Sequence, residues 1–135
     1  MIILKQDVEK PCIFRLSNLI NDNSAEFLIE LQDVNLEQVK LFTAPNTSHD
    51  RDRYDRFNIT VFSKEFSKYV EDGYVEDGYV EEISNEDLEN GKIFLPYGTY
   101  RYNAYVYNGG GLSLENTDGE IIDTDQFKVV ENGMV

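Results

Sequence analysis

One stretch of the sequence decides the fold class: Thr99-Tyr100-Arg101-Tyr102-Asn103-Ala104-Tyr105-Val106-Tyr107. Successive side chains of a strand point to opposite faces. The even-numbered residues from Tyr100 to Val106 would therefore share one face, and the odd-numbered ones, including Tyr105 and Tyr107, the other. Aromatic and β-branched residues at this density favour a strand. The run Gly109 to Gly111 ends it, because consecutive glycines favour a turn.

Other short apolar runs alternate in the same way, with polar turns between them. We expect half-buried strands, in which the odd-numbered residues of Phe57–Val61 face inward and Glu30 lies on the outward, solvated face of its strand. The further predicted strands are Cys12–Ser17, Phe27–Gln32, Val39–Thr43, Phe57–Val61, Lys92–Leu95, Leu112–Leu114, Glu120–Ile122 and Gln126–Val130. Helix is predicted only at Ser84 to Asn90, where Ser84 precedes Asp87 by three residues. The pattern predicts an all-β fold, an antiparallel β-sandwich of about 7–9 strands.

An acidic segment around residues 63–91 interrupts this pattern. It contains Tyr69-Val70-Glu71-Asp72-Gly73, an identical copy from Tyr74 to Gly78, and a partial third copy from Tyr79. A period of five cannot make one continuous two-faced strand, whereas Asp-Gly pairs favour hairpin turns. We therefore predict an inserted loop or hairpin. Either it is a tolerated duplication in an exposed loop, or its tyrosines contact a partner.

Length and charge restrict the class of protein. The 135 residues predict one domain, residues 1–135, and 26 acidic against 12 basic side chains give a net charge of −14. Such a charge repels phosphate backbones, so we expect no nucleic-acid partner. Met1 to Asp7 is too short an apolar run for a signal peptide, and no stretch approaches the ~20 apolar residues of a membrane span, so no membrane partner is expected. The single cysteine, Cys12, fits a reducing compartment or a disulfide-free particle.

Few residues are suited to catalysis or metal binding. His49, the single histidine, lies in a polar connection without a glycine-flanked nucleophile, and the apolar neighbours of Cys12 favour burial over reactivity. Three stretches have the acidic composition of calcium loops, Asp50–Asp55, Glu71–Glu82 and Asp118–Asp125, but none has the helix-loop-helix spacing. We predict a non-enzymatic protein with no catalytic residue, no cofactor and no metal site.

The tyrosines are the best candidates for contacting another molecule. A tyrosine on an outward strand face suits a protein interface, because its flat ring contributes contact area at little entropy cost. The candidate partner-interface residues are Tyr74, Tyr79, Tyr105 and Tyr107. Stacking against sugars and packing of the second sandwich face are the alternatives, and the sequence leaves both open.

Three segments, taken in order, resemble one family of proteins. Arg53-Tyr54-Asp55-Arg56-Phe57-Asn58-Ile59 resembles an Arg-Tyr-Asn-x-Phe-x-Ile signature, and Leu95 to Tyr107 is similar to a Leu-x-x-Gly-x-Tyr-x-Tyr-x-(Ile/Val)-Tyr strand. Gly119 to Val130 resembles the closing strand, and Met1–Leu4 with Phe14–Leu16 suits the first hairpin. The family comprises small structural proteins from tailed phages of Bacteroidetes, including crAss-like phages. The insertion at 63–91 departs from its pattern.

Members of this family look like compact immunoglobulin-like β-sandwiches built into virions. The resemblance implies an auxiliary capsid protein that decorates or staples the capsid by binding the major capsid protein or another virion protein. A neck, tail or head-fibre component is one alternative, and a host-surface or carbohydrate-binding module is another. The acidic charge favours the outer capsid surface over an interior that faces DNA. The protein would be made in the host cytoplasm, and the sequence leaves self-association open.

Overall fold

The computed structural model describes residues 1–63, 67–69, 82–84 and 86–131. They form mostly strands in two main sheets, an arrangement consistent with the predicted all-β sandwich. The elements are β1 (Ile2–Lys5), β2 (Lys10–Phe14), α1 (Leu16–Ile20), β3 (Glu26–Gln32), β4 (Gln38–Phe42), β5 (Asp55–Phe62), β6 (Ser67–Tyr69), β7 (Glu82–Ser84), β8 (Lys92–Phe94), β9 (Gly98–Tyr107) and β10 (Asp123–Val130). A short 3-10 helix, Leu114–Asn116, lies between β9 and β10.

Both main sheets are mixed. The larger has the order β1-β10-β9-β3-β4 and the smaller the order β2-β5-β8. Most neighbours are antiparallel, but β1 runs parallel to β10 and β5 runs parallel to β8. The predicted antiparallel sandwich is therefore wrong for these two pairs. Parallel neighbours need a long crossover connection, and the segment 63–91 provides it between β5 and β8.

The expected first hairpin is also wrong, because β1 and β2 lie in different sheets. β2 pairs with β5 in the register Cys12↔Phe57. The chain changes sheet at Gln6 and Asp7, where Asp7 takes a left-handed conformation and donates its backbone N–H to Val61 O at 2.7 Å. Gln6 is buried at this crossing and donates Nε2–H to Leu95 O at 2.9 Å.

The core lies between the two main sheets, where the strand periodicity predicts it. In β5 the odd-numbered residues from Asp55 to Val61 are buried and the even-numbered ones are partly exposed. The Phe57 ring meets the Phe14 ring edge-on, with centroids 5.4 Å apart. On β9 the even-numbered residues from Tyr100 to Val106 belong to this core or pack against it. Both predicted alternations are confirmed.

The strand β3 departs from the predicted half-buried pattern. Its residues Phe27, Ile29 and Leu31 belong to the core, but Leu28 and Glu30 on the opposite face are buried as well. Glu30 faces away from the core, as predicted, yet only 5% of it is exposed. The expectation of a solvated outer face on this strand is therefore wrong.

Helical structure forms at α1, where the sequence predicts the end of a strand. Its N-cap residue, Arg15, makes no side-chain capping bond, so the local sequence carries no start signal. The backbone N–H of Ser17 instead donates to Asp55 Oδ2 at 2.8 Å. The helix predicted for Ser84 to Asn90 is wrong: Ser84 belongs to β7 and residues 88–91 form a turn. The carboxylate of Asp87, which precedes the turn, accepts from Asn90 Nδ2 at 2.8 Å.

Two short predicted strands, Leu112–Leu114 and Glu120–Ile122, are wrong as well. They belong to the loop 108–122, which folds on itself through bonds such as Asn108 N–H to Asn116 O at 2.8 Å. Ser113 caps the 3-10 helix by accepting from Glu115 N–H at 3.2 Å. The three glycines that end β9 have φ values of 81°, 93° and 122°, which explains why a ladder stops there.

Within the inserted segment, β6 and β7 pair antiparallel as a separate two-stranded sheet, in the register Ser67↔Ser84 to Tyr69↔Glu82. Residues 70–81, which contain the repeat apart from Tyr69 and Glu82 and include the predicted hairpin arms, lie outside the described residues. In the part of the chain that the structure describes, no helix has both the length and the apolar character that crossing a bilayer requires.

Candidate functional site

Three chain segments meet at one end of the sandwich, which we call the loop end: α1 with the turn after it, the loop 43–54, and the loop 108–122. Direct hydrogen bonds connect the first two. Asn18 Nδ2 donates to Asp52 O at 3.0 Å, and Arg51 Nη2 donates to Ala25 O at 2.5 Å. The third segment faces α1 across a groove described below. The β-sheets thus hold these three segments beside one another. Binding sites are often formed by loops that a rigid scaffold positions in this way.

A buried carboxyl group holds the loop end together. Asp55, at the start of β5, is 0% exposed. Its Oδ1 accepts from the Ser17 hydroxyl at 2.5 Å and from Asn46 Nδ2 at 2.7 Å, while Oδ2 accepts the Ser17 backbone N–H. Every donor comes from a loop or from α1, so Asp55 fixes both to the sheet. This role is structural, because the carboxyl group is closed to solvent.

A groove of about 460 Å³, lined by aliphatic and acidic side chains, lies between α1 and the loop 108–122. Ile20, Val106 and Ile122 are partly buried against the sandwich core and line its inner side. Leu19 and Ile121 line its outer edges, and they are 59% and 49% exposed. A molecule seated in the groove would cover these two side chains together with the inner three.

Three carboxylates, Asp22, Asp118 and Glu120, complete the lining of the groove. Asp22 accepts from the Ser24 backbone N–H at 2.9 Å and from its hydroxyl at 2.7 Å. The backbone bond, and then the hydroxyl bond, lowers the pKa of Asp22 below its usual value. Asp118 accepts from Asn108 Nδ2 at 2.9 Å. Hydrogen bonds therefore fix two of the three charges at the rim. We call these residues, with the five apolar ones, the acidic groove.

The sequence prediction missed the acidic groove. A signal was present: Leu19-Ile20 precedes Asp22 by two residues, and Glu120 directly precedes Ile121-Ile122. Each is an aliphatic pair beside an acidic residue in a segment too short for a strand. The second pair was predicted as part of a strand, and the first pair was assigned to no element, so neither was placed at a binding surface.

A second cleft, of about 500 Å³, is lined in part by the loop 43–54. Phe27 and Phe57 line it together with Glu26, Arg51 and Tyr107. Among the described residues, none accepts a hydrogen bond from the buried Nε–H of Arg51. The cleft thus combines aromatic surface with both signs of charge.

Tyr105 and Tyr107 lie on the outward face of β9, as the sequence predicts, but in different environments. Tyr105 is 7% exposed and donates its hydroxyl to Glu30 Oε1 at 3.2 Å, beside Asn103 Nδ2, which donates to the same oxygen at 3.0 Å. Burial, and then the charge of Glu30, raises the pKa of Tyr105. The Tyr107 hydroxyl accepts from Gly111 N–H at 3.1 Å, and its ring borders the second cleft. A partner contact for either stays a prediction, and Tyr74 and Tyr79 lie outside the described residues.

The other candidate residues remain apart from these clefts. Cys12 is buried in β2, and burial raises the pKa of its thiol to about 11, which disfavours the thiolate that a nucleophile requires. His49 is exposed in the loop 43–54. No group of three or more His, Cys, Asp or Glu side chains is arranged for a metal ion among the described residues, which include two of the three acidic stretches.

Comparison with known proteins gives the chain no relative. No family model matches it, and neither a curated protein nor a solved structure matches it. The acidic groove and the second cleft are thus the features of the chain itself from which a function is inferred.

Proposed function

We propose that this chain is a non-enzymatic structural protein of a phage virion, an auxiliary capsid protein that binds the major capsid protein through its loop end. The sequence resemblance supports the virion, and the net charge of −14 supports the outer capsid surface, away from packaged DNA. The observation that carries the docking role is the acidic groove with its exposed Leu19 and Ile121. Fully burying such a side chain contributes about 1.5–3 kcal/mol, so a partner gains by covering them.

The strand order supports an immunoglobulin-like identity for the fold. In that fold one sheet contains strands G, F, C and C′ in order, and the other contains B beside E. Here β10, β9, β3 and β4 are neighbours in that order, and β2 pairs with β5. The strand β8 occupies the place of strand D, but it runs parallel to β5. We propose an immunoglobulin-like sandwich in which β8, the strand that follows the inserted segment, takes the place of strand D.

The test is quantitative mass spectrometry of purified full virions and of emptied shells. We expect a ratio to the major capsid protein near one or a simple fraction of one, in both samples, because a lattice position repeats with the lattice. A ratio of about one per hundred would move the protein to a neck, tail or head-fibre ring. Absence from both samples would overturn the proposal.

A carbohydrate-binding module is the second candidate, and the second cleft is what favours it. The aromatic residue Tyr107 lines it, and the charged groups of Arg51 and Glu26 suit hydroxyl groups. Tyr105 is too buried to stack on a sugar. Binding on a glycan array that is lost in Tyr107→Ala and kept in Tyr97→Ala, an exposed tyrosine outside the cleft, would support this candidate. No binding across the array would count against it.

A further inference from the structure

We propose that the acidic groove binds a short peptide segment of a partner protein, one with large aliphatic side chains flanked by lysine or arginine. The inference names the partner chemistry at the docking site, so it rests on the proposed function. Three observations carry it: the apolar floor, the exposed aliphatic edges and the charge of the rim. The aliphatic surface disfavours a purely polar occupant, and the negative rim disfavours an anionic one.

The floor and edges call for an aliphatic occupant. Ile20, Val106 and Ile122 present apolar surface between Leu19 and Ile121. The volume of about 460 Å³ lies within the range of roughly 300–1,000 Å³ in which pockets take a small ligand or a few peptide side chains. A purely polar segment would leave the exposed aliphatic groups in water and gain little by binding.

The rim calls for basic flanks. Asp22, Asp118 and Glu120 border the apolar surface, and no described residue that lines the groove is basic. Because Ser24 and Asn108 hold two of these carboxylates in place, the charges are arranged before the partner arrives. Opposite charges at an interface rim accelerate encounter and select the partner, and screening by salt weakens both effects.

The same charges disfavour other occupants of the groove. Nucleic acids and anionic membranes are repelled by the rim and by the net charge of −14. A second copy of the chain carries the same net charge, so self-association through the groove would place like charges together. A basic, aliphatic peptide segment is the occupant that satisfies both the floor and the rim.

The test uses the full chain and three fluorescent probe peptides of about ten residues. The first contains two leucines flanked by lysines, the second has glutamates in place of the lysines, and the third has serines in place of the leucines. We expect the first probe to bind and the other two to bind at least about tenfold more weakly. Raising the salt from about 50 mM to about 300 mM should weaken binding of the first probe several-fold.

Two variant pairs connect this binding to the acidic groove. Ile121→Ser and Glu120→Lys should each weaken binding of the first probe about tenfold. Their matched controls, Ile13→Ser on β2 and Glu37→Lys in the β3–β4 turn, make the same changes at exposed sites outside the groove and should leave binding unchanged. Circular dichroism of all four variants checks that each is folded. Equal binding of all three probes would overturn the inference, and so would equal effects of the variants and their controls. A dimer of the parent chain that becomes monomeric in Ile121→Ser would also overturn it, because the groove would then bind a second copy.

The outcome of the probe experiment is independent of the outcome of the virion test. If the first probe binds at the acidic groove but the protein is absent from particles, the inference stands and the virion function fails. If the protein is present in particles but no probe binds at millimolar concentration, the virion function stands and the basic, aliphatic partner is wrong.

Discussion

The molecule uses carboxyl groups in two opposite ways. Asp55 and Glu30 are buried and accept hydrogen bonds from several elements, whereas Asp22, Asp118 and Glu120 lie at the rim of the acidic groove. The first set contributes to the free energy of folding and offers nothing to a partner. The second set lies at the surface and, in the proposal above, selects the partner. The high acidic content of this chain therefore does not indicate a single role for its carboxyl groups. Burial distinguishes the first set from the second.

The largest expected effect is that of Asp55→Ala. The change leaves the Ser17 backbone N–H, the Ser17 hydroxyl and the Asn46 amide without their acceptor inside the protein. We expect the free energy of unfolding to fall by about 3 kcal/mol or more, measured by urea denaturation, because unsatisfied buried donors keep their full desolvation cost. Asp52→Ala, which removes one exposed hydrogen bond to Asn23, is the control and should cost less than about 1 kcal/mol. Equal losses would contradict the structural role assigned to the buried Asp55 carboxyl group.

Glu30 should give the next largest effect, and two substitutions separate charge from hydrogen bonding. Glu30→Ala removes the acceptor of Asn103 and Tyr105, and we expect a loss of about 2 kcal/mol in the free energy of unfolding. Glu30→Gln keeps a carbonyl oxygen in the same place, so its loss should be under about 1 kcal/mol. If Gln costs as much as Ala, the charge of Glu30 matters more than its bonds.

High pH should destabilise the fold through its buried tyrosines. Burial, and then the hydrogen bond to Asp123, raises the pKa of Tyr102 well above 10, the usual value. Above about pH 10 the unfolded chain releases this proton and the folded chain retains it, so stability falls as pH rises. We expect a lower urea midpoint at about pH 11 than at about pH 9. Tyr102→Phe should cost about 1 kcal/mol at neutral pH and make the alkaline fall shallower; an unchanged fall would assign it to other groups.

The smallest expected effect on stability is that of Glu120→Gln. Glu120 is exposed at the rim, so the free energy of unfolding should stay within about 0.5 kcal/mol of the parent chain. Binding of the basic, aliphatic probe should weaken even so, because one rim charge is lost. A stability loss near that of Glu30→Ala would remove the distinction between the two sets of carboxyl groups.

Period-two patterns predicted the strands well and their surroundings less well. The alternations in β5 and β9 identified the core face correctly, because the side chains on one face of each strand pack into the core and those on the other face do not. The pattern could not show that Glu30 is buried, since its partners Asn103 and Tyr105 lie more than seventy residues away in the chain. The helix α1 was hidden for the same reason: its capping acceptor, Asp55, lies thirty-eight residues beyond Ser17. Of the residues that line the two clefts, the sequence placed strand residues such as Val106 and Tyr107 on the correct faces of β9, but it did not bring the loops together.

The pairing of β6 with β7 has a consequence for how this chain can vary. Because Tyr69 pairs with Glu82, the two ends of the segment 70–81 are held side by side whatever lies between them. Doubling a loop closed in this way costs only about 0.6 kcal/mol of closure entropy. Copies of the five-residue unit could therefore be gained or lost between lineages while the sandwich stays the same. The insertion is a place where length polymorphism, or a grafted epitope, can be tolerated without redesign of the sheets.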